Sequence, residues 1–230
     1  TTPSTNDATT PSNTPVVVPS TDSAGTISPE AAATQAPTTE KNGKICLEDG
    51  AKITDSAKSD WDVNGDTAET KNKVELGVKY IFPGDDNVSV TFSCLPTASA
   101  DRTTLKIQQI KASDINLPAG VSAATDFAYD ITTGMKNGDF KYDLTLPKAD
   151  DANAEINYVQ KSANEVKNHN LAVADLKSVD SKDVKAGNSG VKVSDLDHFT
   201  VFVETCHNDC HNDCQKGSIT IIKDAQPNDP

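Results

Sequence analysis

The segment VELGVKYIF at 74–82 is followed by the turn sequence PGDDN at 83–87 and then by VSVTF at 88–92. Apolar and polar residues alternate through both outer segments, which is the two-residue period of a β-strand with one buried face. Pro, Gly, Asp and Asn between them favour a tight turn. The three segments together therefore predict a β-hairpin.

Similar short strand-like segments recur along the chain, at 44–47, 104–110, 127–132, 140–147, 156–159, 198–203 and 218–223. The stretch 161–188 is ambiguous, because 171–176 fits a helical turn, an edge strand or an insertion. No long segment has the period of a helix. Many short strands separated by turns predict an all-β protein, an antiparallel β-sandwich.

The second half resembles an immunoglobulin-like domain of modular bacterial cell-surface proteins. The resemblance lies in 126–133, 137–147, 157–159 and the segment LDHFTVFV at 196–203, since such domains commonly end on a strand with His-Phe-Thr or His-Phe-Ser. It implies an immunoglobulin-like sandwich. The final GSITIIKD at 217–224 resembles the first strand of a Cna B-type, prealbumin-like repeat, which would be the next module. The likeness breaks at 148–190, where a Lys/Asp/Asn-rich segment interrupts the expected hairpin.

The first forty residues contain eleven Thr, five Ser and six Pro, with almost no aromatic or large aliphatic residues. Such a segment cannot bury enough apolar surface to fold, and its composition is typical of extended, often O-glycosylated stalks; a plain disordered linker is the alternative. We therefore expect a disordered stalk at 1–42 and a β-sandwich at 43–205, as one domain or as two sub-domains that divide near 97–103. A Cys-rich hinge and a terminal strand would follow at 206–230.

The charge of the chain limits its partners. The formal net charge is −13, so there is no basic surface to displace phosphate counterions, and nucleic acid is excluded as a partner. No apolar run approaches the roughly 20 residues that a membrane span needs, so we expect no direct membrane insertion. The partners expected are other copies of the chain or neighbouring surface modules.

The five cysteines, set in polar sequence, indicate an oxidising compartment, and we predict an extracellular, cell-surface location. Cys46 and Cys94 both lie on strand-like runs and are predicted to form a disulfide, with two buried free thiols as the alternative. The other three lie in CHNDCHNDC and comprise Cys206, Cys210 and Cys214. Their odd number leaves three alternatives, namely a disulfide within or between chains, a zinc or copper site with the adjacent histidines, or a free thiol.

The segment DWDVNGD at 60–66 matches the front of a calcium loop, with oxygen ligands at the first, third and fifth positions and Gly at the sixth. The candidate ligands are Asp60, Asp62, Asn64, Asp66 and Glu69. The twelfth position of a standard loop holds a bidentate acid, whereas here it is Lys71. A calcium site would therefore be weak, with a Kd of about 10⁻⁴ to 10⁻³ M. The alternative is a solvated Asp/Asn/Gly turn.

Two further motifs carry chemistry. His198-Phe199-Thr200 resembles the self-cleavage sites of nucleoporins and adhesion-receptor domains, which implies Thr200 as nucleophile and His198 as base. A plain β-strand is the alternative. Asn87-Val88-Ser89 is the single N-glycosylation sequon.

No other segment resembles an active site, so we do not expect an enzyme. The expected function is that of a non-catalytic extracellular module, structural or adhesive, displayed on a glycosylatable stalk of a surface protein or filament. Such a module could assemble by strand donation through 217–230. The alternatives are a calcium-stabilised ligand-binding module and a self-cleaving domain.

Overall fold

The computed structural model describes residues 37–207, except 152, 188 and 189. Its strands are β1 (Thr38–Lys41), β2 (Lys44–Leu47), β3 (Thr54–Asp55), β4 (Trp61–Asn64), β5 (Thr67–Thr70), β6 (Val78–Ile81), β7 (Ser89–Pro96), β8 (Leu105–Lys111), β9 (Val121–Ala123), β10 (Phe127–Thr133), β11 (Lys141–Leu146), β12 (Glu155–Val159), β13 (Lys177–Ser178), β14 (Val184–Ala186), β15 (Val191–Leu196) and β16 (Thr200–His207). The α-helix α1 spans Ala163–Asn168, and short 3₁₀ helices span Lys58–Asp60, Ser99–Asp101, Ala112–Asp114, Val173–Asp175 and Ser181–Asp183.

The strands form two sheets. In the first sheet the order is β1-β2-β7-β11-β15-β14, with β6 also on β7 and β3 on β6; in the second it is β13-β12-β16-β10-β8-β5-β4, with β9 on β16. Every pairing is antiparallel except that of β3 with β6. The predicted all-β antiparallel sandwich is confirmed, and it is compatible with an immunoglobulin-like fold.

Alternation along the strands explains the sandwich. In β11, Tyr142, Leu144 and Leu146 are buried, while the residues between them are half-buried. The buried set packs with Phe92 of the same sheet and Phe202 of the facing sheet in one core. Because successive side chains of a strand point to opposite faces, the buried residues of β11 all lie on the face of the first sheet that packs against the second sheet.

The second sheet is covered on both faces, which the sequence did not reveal. Its outer face carries Ile110, Ala128 and Val201, which form a smaller core with Val166 of α1 and with Leu171. The Ser162 hydroxyl accepts a hydrogen bond from the Glu165 N–H and caps α1, whose buried residues complete this layer. The segment that departs from the immunoglobulin-like pattern therefore supplies a cover for the second sheet.

The predicted hairpin at 74–92 is present but shorter. Only residues 79–81 of β6 pair with β7, because the chain turns at Gly77, whose φ is +77°, a conformation that favours glycine. Before the turn, the Glu75 N–H donates to the Tyr80 hydroxyl at 2.7 Å. A strand over the whole of 74–82 was therefore wrong in its first half.

The ends of the sandwich extend beyond the predicted domain boundaries. β1 begins at Thr38, inside the range assigned to the stalk, and β16 continues through Cys206, inside the range assigned to the hinge. Strands from both sides of residues 97–103 pair with each other, β7 with β11 and β5 with β8. Residues 1–36 and 208–230, and with them most of the predicted stalk and the terminal strand, lie outside the described residues. Within 37–207, no helix has the length and apolar character needed to cross a membrane.

Candidate functional site

The end of the sandwich at which β16 finishes carries a buried acid. Glu204 lies opposite Ile156 of β12, and the residue is 4% exposed. Its Oε2 accepts a hydrogen bond of 3.1 Å from the backbone N–H of Ala149, in the connection that follows β11. Among the described residues Oε1 accepts no hydrogen bond, and it is not sealed from solvent, because the enclosed side-chain atoms without a partner are Ser93 Oγ and His198 Nε2.

A cleft of about 500 Å³ lies beside this acid, between the edges of the two sheets. We call it the Glu204 cleft. Its apolar walls are Ile156, Val179, Val184, Ala186 and Val191, from β12, β14, β15 and the connection between β13 and β14. Because these walls belong to both sheets, the cleft exists only in the assembled sandwich.

The charge of the Glu204 cleft is negative. Burial raises the pKa of Glu204 from 4.5 to about 7, and the Ala149 N–H offsets part of that rise. Burial acts in this direction because removing water disfavours the charged carboxylate. Asp151 and Glu155 also line the cleft, with Lys148 as the basic residue of the lining.

Tyr129 of β10 lies close enough to Glu204 for the carboxylate to influence it. The Tyr129 hydroxyl donates to Asp85 Oδ2 at 3.0 Å and accepts from Gln109 Nε2 at 3.3 Å. Burial raises the pKa of Tyr129 far above its usual range, and the negative charges of Asp85 and Glu204 add to this. Tyr129 therefore stays protonated and ties the 83–87 turn to the second sheet.

The opposite end of the sandwich holds the predicted disulfide, which is confirmed. Cys46 of β2 and Cys94 of β7 are directly opposite in the register and are bonded to each other. In the same sheet Lys141 lies opposite Cys94, whereas Thr145 lies opposite Ser89, so the disulfide is at the beginning of β11 and Ala149 follows its end. We call the disulfide end the clamp end.

Aromatic rings pack tightly at the clamp end. The Phe199 ring stacks on those of Phe140 and Tyr142, with centroids 4.2 and 5.1 Å away. The Tyr142 hydroxyl donates to the His198 backbone carbonyl at 2.9 Å, and burial raises the pKa of Tyr142 well above its usual value. The hydroxyl thereby joins β11 of one sheet to the start of β16 in the other.

The structure does not bring His198 and Thr200 together as a base and a nucleophile. The Thr200 hydroxyl is buried and donates to the Val159 carbonyl. His198 Nδ1 is 3.2 Å from Asp197 Oδ1, and its buried Nε2 has no hydrogen-bond partner among the described residues. The motif supplies packing and strand pairing here, and self-cleavage is an untested prediction.

The predicted calcium loop is a β-hairpin of β4 and β5, with Gly65 at its turn. Its acids face separate partners. Asp60 Oδ2 accepts from the Ala57 N–H at 2.7 Å, Asp62 Oδ1 lies 3.9 Å from Lys71 Nζ, and Glu69 Oε1 accepts from the Thr104 hydroxyl at 2.6 Å.

Asn64 lies opposite Thr67 in the same hairpin, and the backbone carbonyl of Asp66 accepts from the Gln109 N–H. Among the described residues, no group of three or more His, Cys, Asp or Glu side chains is arranged to hold a metal ion. Calcium binding stays a prediction.

The remaining predicted residues lie at the surface or outside the described part. Asn87 is exposed on the 83–87 turn, and its side-chain amide donates to Asp85 Oδ1 at 3.1 Å. Cys206 is disulfide-bonded, to a partner outside the described residues. Cys210 and Cys214 themselves lie outside that part of the chain.

Glu204 is the site residue that the sequence prediction missed. One signal was present, because this acid directly follows the apolar run of Val201, Phe202 and Val203 in a strong strand. An acid at such a position is either at an exposed edge or buried, and only the partners of β16 decide which. Comparison with known protein families, with curated proteins and with solved structures found no match.

Proposed function

We propose that this chain is a non-catalytic structural module of an extracellular surface protein, which holds its neighbours apart and carries tension between them. The observation behind the proposal is where the described part of the chain enters and leaves the sandwich. The chain enters at the clamp end through β1 and β2, and β16 leaves at the end where Glu204 contacts Ala149. The two points are separated by at least β11 residues 141–146, or about 17 Å of strand.

Both ends of this path are held by several bonds. The entering hairpin is joined covalently to β7, which is an interior strand of its sheet. The leaving strand β16 pairs with β12 along one edge and with β10 and β9 along the other. A pull on both ends therefore loads whole ladders of hydrogen bonds rather than opening them one at a time.

The proposal has three further parts, which concern segments outside the described residues. These parts are display on a glycosylated stalk, adhesion, and assembly with other copies by donation of the terminal strand. The extracellular location is supported by the Cys46–Cys94 disulfide, because such bonds persist in oxidising compartments.

Force spectroscopy on the full chain, held through both termini between marker domains, tests the proposal. We expect one cooperative unfolding event at a force well above that of a helical control domain of similar size. Replacing Cys46 and Cys94 by Ser should lengthen the released chain by about 170 Å, since 48 residues are then free to extend. Unfolding at or below the force of the helical control would contradict a tension-bearing role.

A further inference from the structure

We propose that the Glu204 cleft binds an alkylammonium group, with Glu204 Oε1 accepting a hydrogen bond from the ammonium and the apolar walls holding the alkyl stem. The group could be a free amine or the lysine side chain of a partner protein. The proposal rests on the cleft alone and does not depend on the mechanical role above.

The first argument is the unpartnered oxygen. Glu204 is 4% exposed and lines the cleft, yet only its Oε2 is hydrogen-bonded within the described residues. A buried carboxylate is stable when it is neutral or when it meets a cation. A ligand that brings a positive charge into the cleft would satisfy Oε1 and the charge together.

Asp130, the other buried acid among the described residues, differs from Glu204 in the charges around it. Asp130, 7% exposed, accepts from the Ala163 N–H at 2.9 Å, and the positive charge of Lys106 favours its ionised form. Burial raises the pKa of Glu204, and no basic side chain contributes against it. Lys148 lines the Glu204 cleft but does not lower the pKa of Glu204, whereas Lys106 acts on Asp130 in that direction.

The shape and donor set select the class of cation. Ile156, Val184 and Val191 form walls that suit an aliphatic stem. Because one lone pair of Oε2 already accepts from the Ala149 N–H, the open oxygen Oε1 favours the compact charge of an ammonium over the planar two-bond fork of a guanidinium. A divalent metal would need several oxygen ligands, and the described residues provide no such group.

Binding should depend on pH because the ligand prefers the ionised carboxylate. The charged or titratable groups around Glu204 are Lys148 and Asp151 after β11, Glu155 on β12, and Tyr129 with its partner Asp85. Burial raises the pKa of Glu204 to about 7. Affinity should therefore be highest above pH 7 and fall about tenfold for each pH unit well below it.

The test is titration calorimetry of the full chain with n-butylammonium and with N-acetyl-lysine methylamide, using n-butanol and n-butylguanidinium as comparisons. We expect the two ammonium probes to bind at least tenfold more tightly than the comparisons. Glu204→Gln, which keeps the shape of the side chain, should weaken them at least tenfold, while Asp130→Asn should change them less than twofold. Binding of the lysine probe but not of butylammonium would identify a partner's lysine as the source.

Proton release provides a measurement that needs no variant. At pH 7 in wild-type protein, ammonium binding should release about half a proton, seen as a binding enthalpy that varies with the ionisation enthalpy of the buffer. Equal binding of n-butanol, undiminished binding to a folded Glu204→Gln variant, or an enthalpy independent of buffer would overturn the proposal. So would the absence of binding by both ammonium probes.

Discussion

At the clamp end, a disulfide and stacked aromatic rings fill the space around the start of β11, whereas at the other end the sheets separate around a buried acid. The clamp end has Cys46–Cys94 and the stack of Phe140, Tyr142 and Phe199. The other end has Glu204, held by one backbone hydrogen bond, and a cleft of about 500 Å³. One end is closed by covalent and aromatic contacts, and the other keeps a buried acid with a single hydrogen bond among the described residues, so we expect changes at the two ends to affect stability independently.

The largest change in stability is expected from removing the Cys46–Cys94 disulfide. The double variant Cys46→Ser/Cys94→Ser should lose about 4 kcal/mol in the free energy of unfolding, because the bond closes a loop of 48 residues in the unfolded chain. Urea denaturation followed by Trp61 fluorescence measures it, since Trp61 is the single tryptophan and is buried.

Wild-type protein treated with a reductant should lose at least as much, because the reductant also breaks the disulfide of Cys206. A loss below about 1 kcal/mol in both would show that the clamp end owes its stability to packing alone.

The next effect belongs to the other end and appears as a pH dependence. Glu204 has a folded pKa of about 7 and an ordinary value of 4.5, so the folded state binds its proton more tightly than the unfolded state. Its contribution to stability is fully present below pH 4.5 and is lost as the pH rises through 7. Between these limits wild type should lose about 2–3 kcal/mol relative to Glu204→Gln.

Urea denaturation of both proteins at pH values from 4 to 8 checks this. Burial also raises the pKa of Asp130, so Asp130→Asn should separately reduce the loss of stability that occurs as the pH rises. Parallel curves for wild type and Glu204→Gln would mean that Glu204 is solvated in the folded protein.

A smaller effect is expected from one hydroxyl at the clamp end. Tyr142→Phe keeps the ring stack but leaves the His198 carbonyl without its donor, and it should cost about 1–2 kcal/mol. Thermal unfolding of this variant alone and combined with Glu204→Gln gives the coupling between the two ends. Coupling above about 0.5 kcal/mol would contradict their independence.

The smallest effect concerns the β4–β5 hairpin, which belongs to neither end. If Asp60, Asp62, Asn64 and Asp66 gather around calcium, 5 mM calcium should add about 1 kcal/mol of stability for a Kd near 1 mM. Melting with calcium, with magnesium and with chelator measures the difference, and Asp62→Asn should abolish it. Identical melting curves in calcium and in chelator would show that the hairpin does not bind calcium.

Sequence periodicity predicted several strands to within a few residues, because the period of a strand is local. The segment at 127–132 matches β10, and that at 44–47 matches β2. Where a turn residue had a long-range role, prediction failed, as at Gly77, after which the predicted strand begins late. The 60–66 segment forms a hairpin whose β5 pairs with β8, a long-range pairing that the local pattern does not reveal, and calcium binding there is untested.

The sequence by itself determined the fold class and the Cys46–Cys94 pair. Alternation of apolar and polar residues specifies which face of each strand is buried, and both cysteines lie on strand-like runs. Tertiary structure alone decided the site. Glu204 is buried because residues 55 positions apart meet at Ala149, and the cleft is formed by walls from both sheets. Burial and unpaired charge arise from such long-range contacts, which no local pattern encodes.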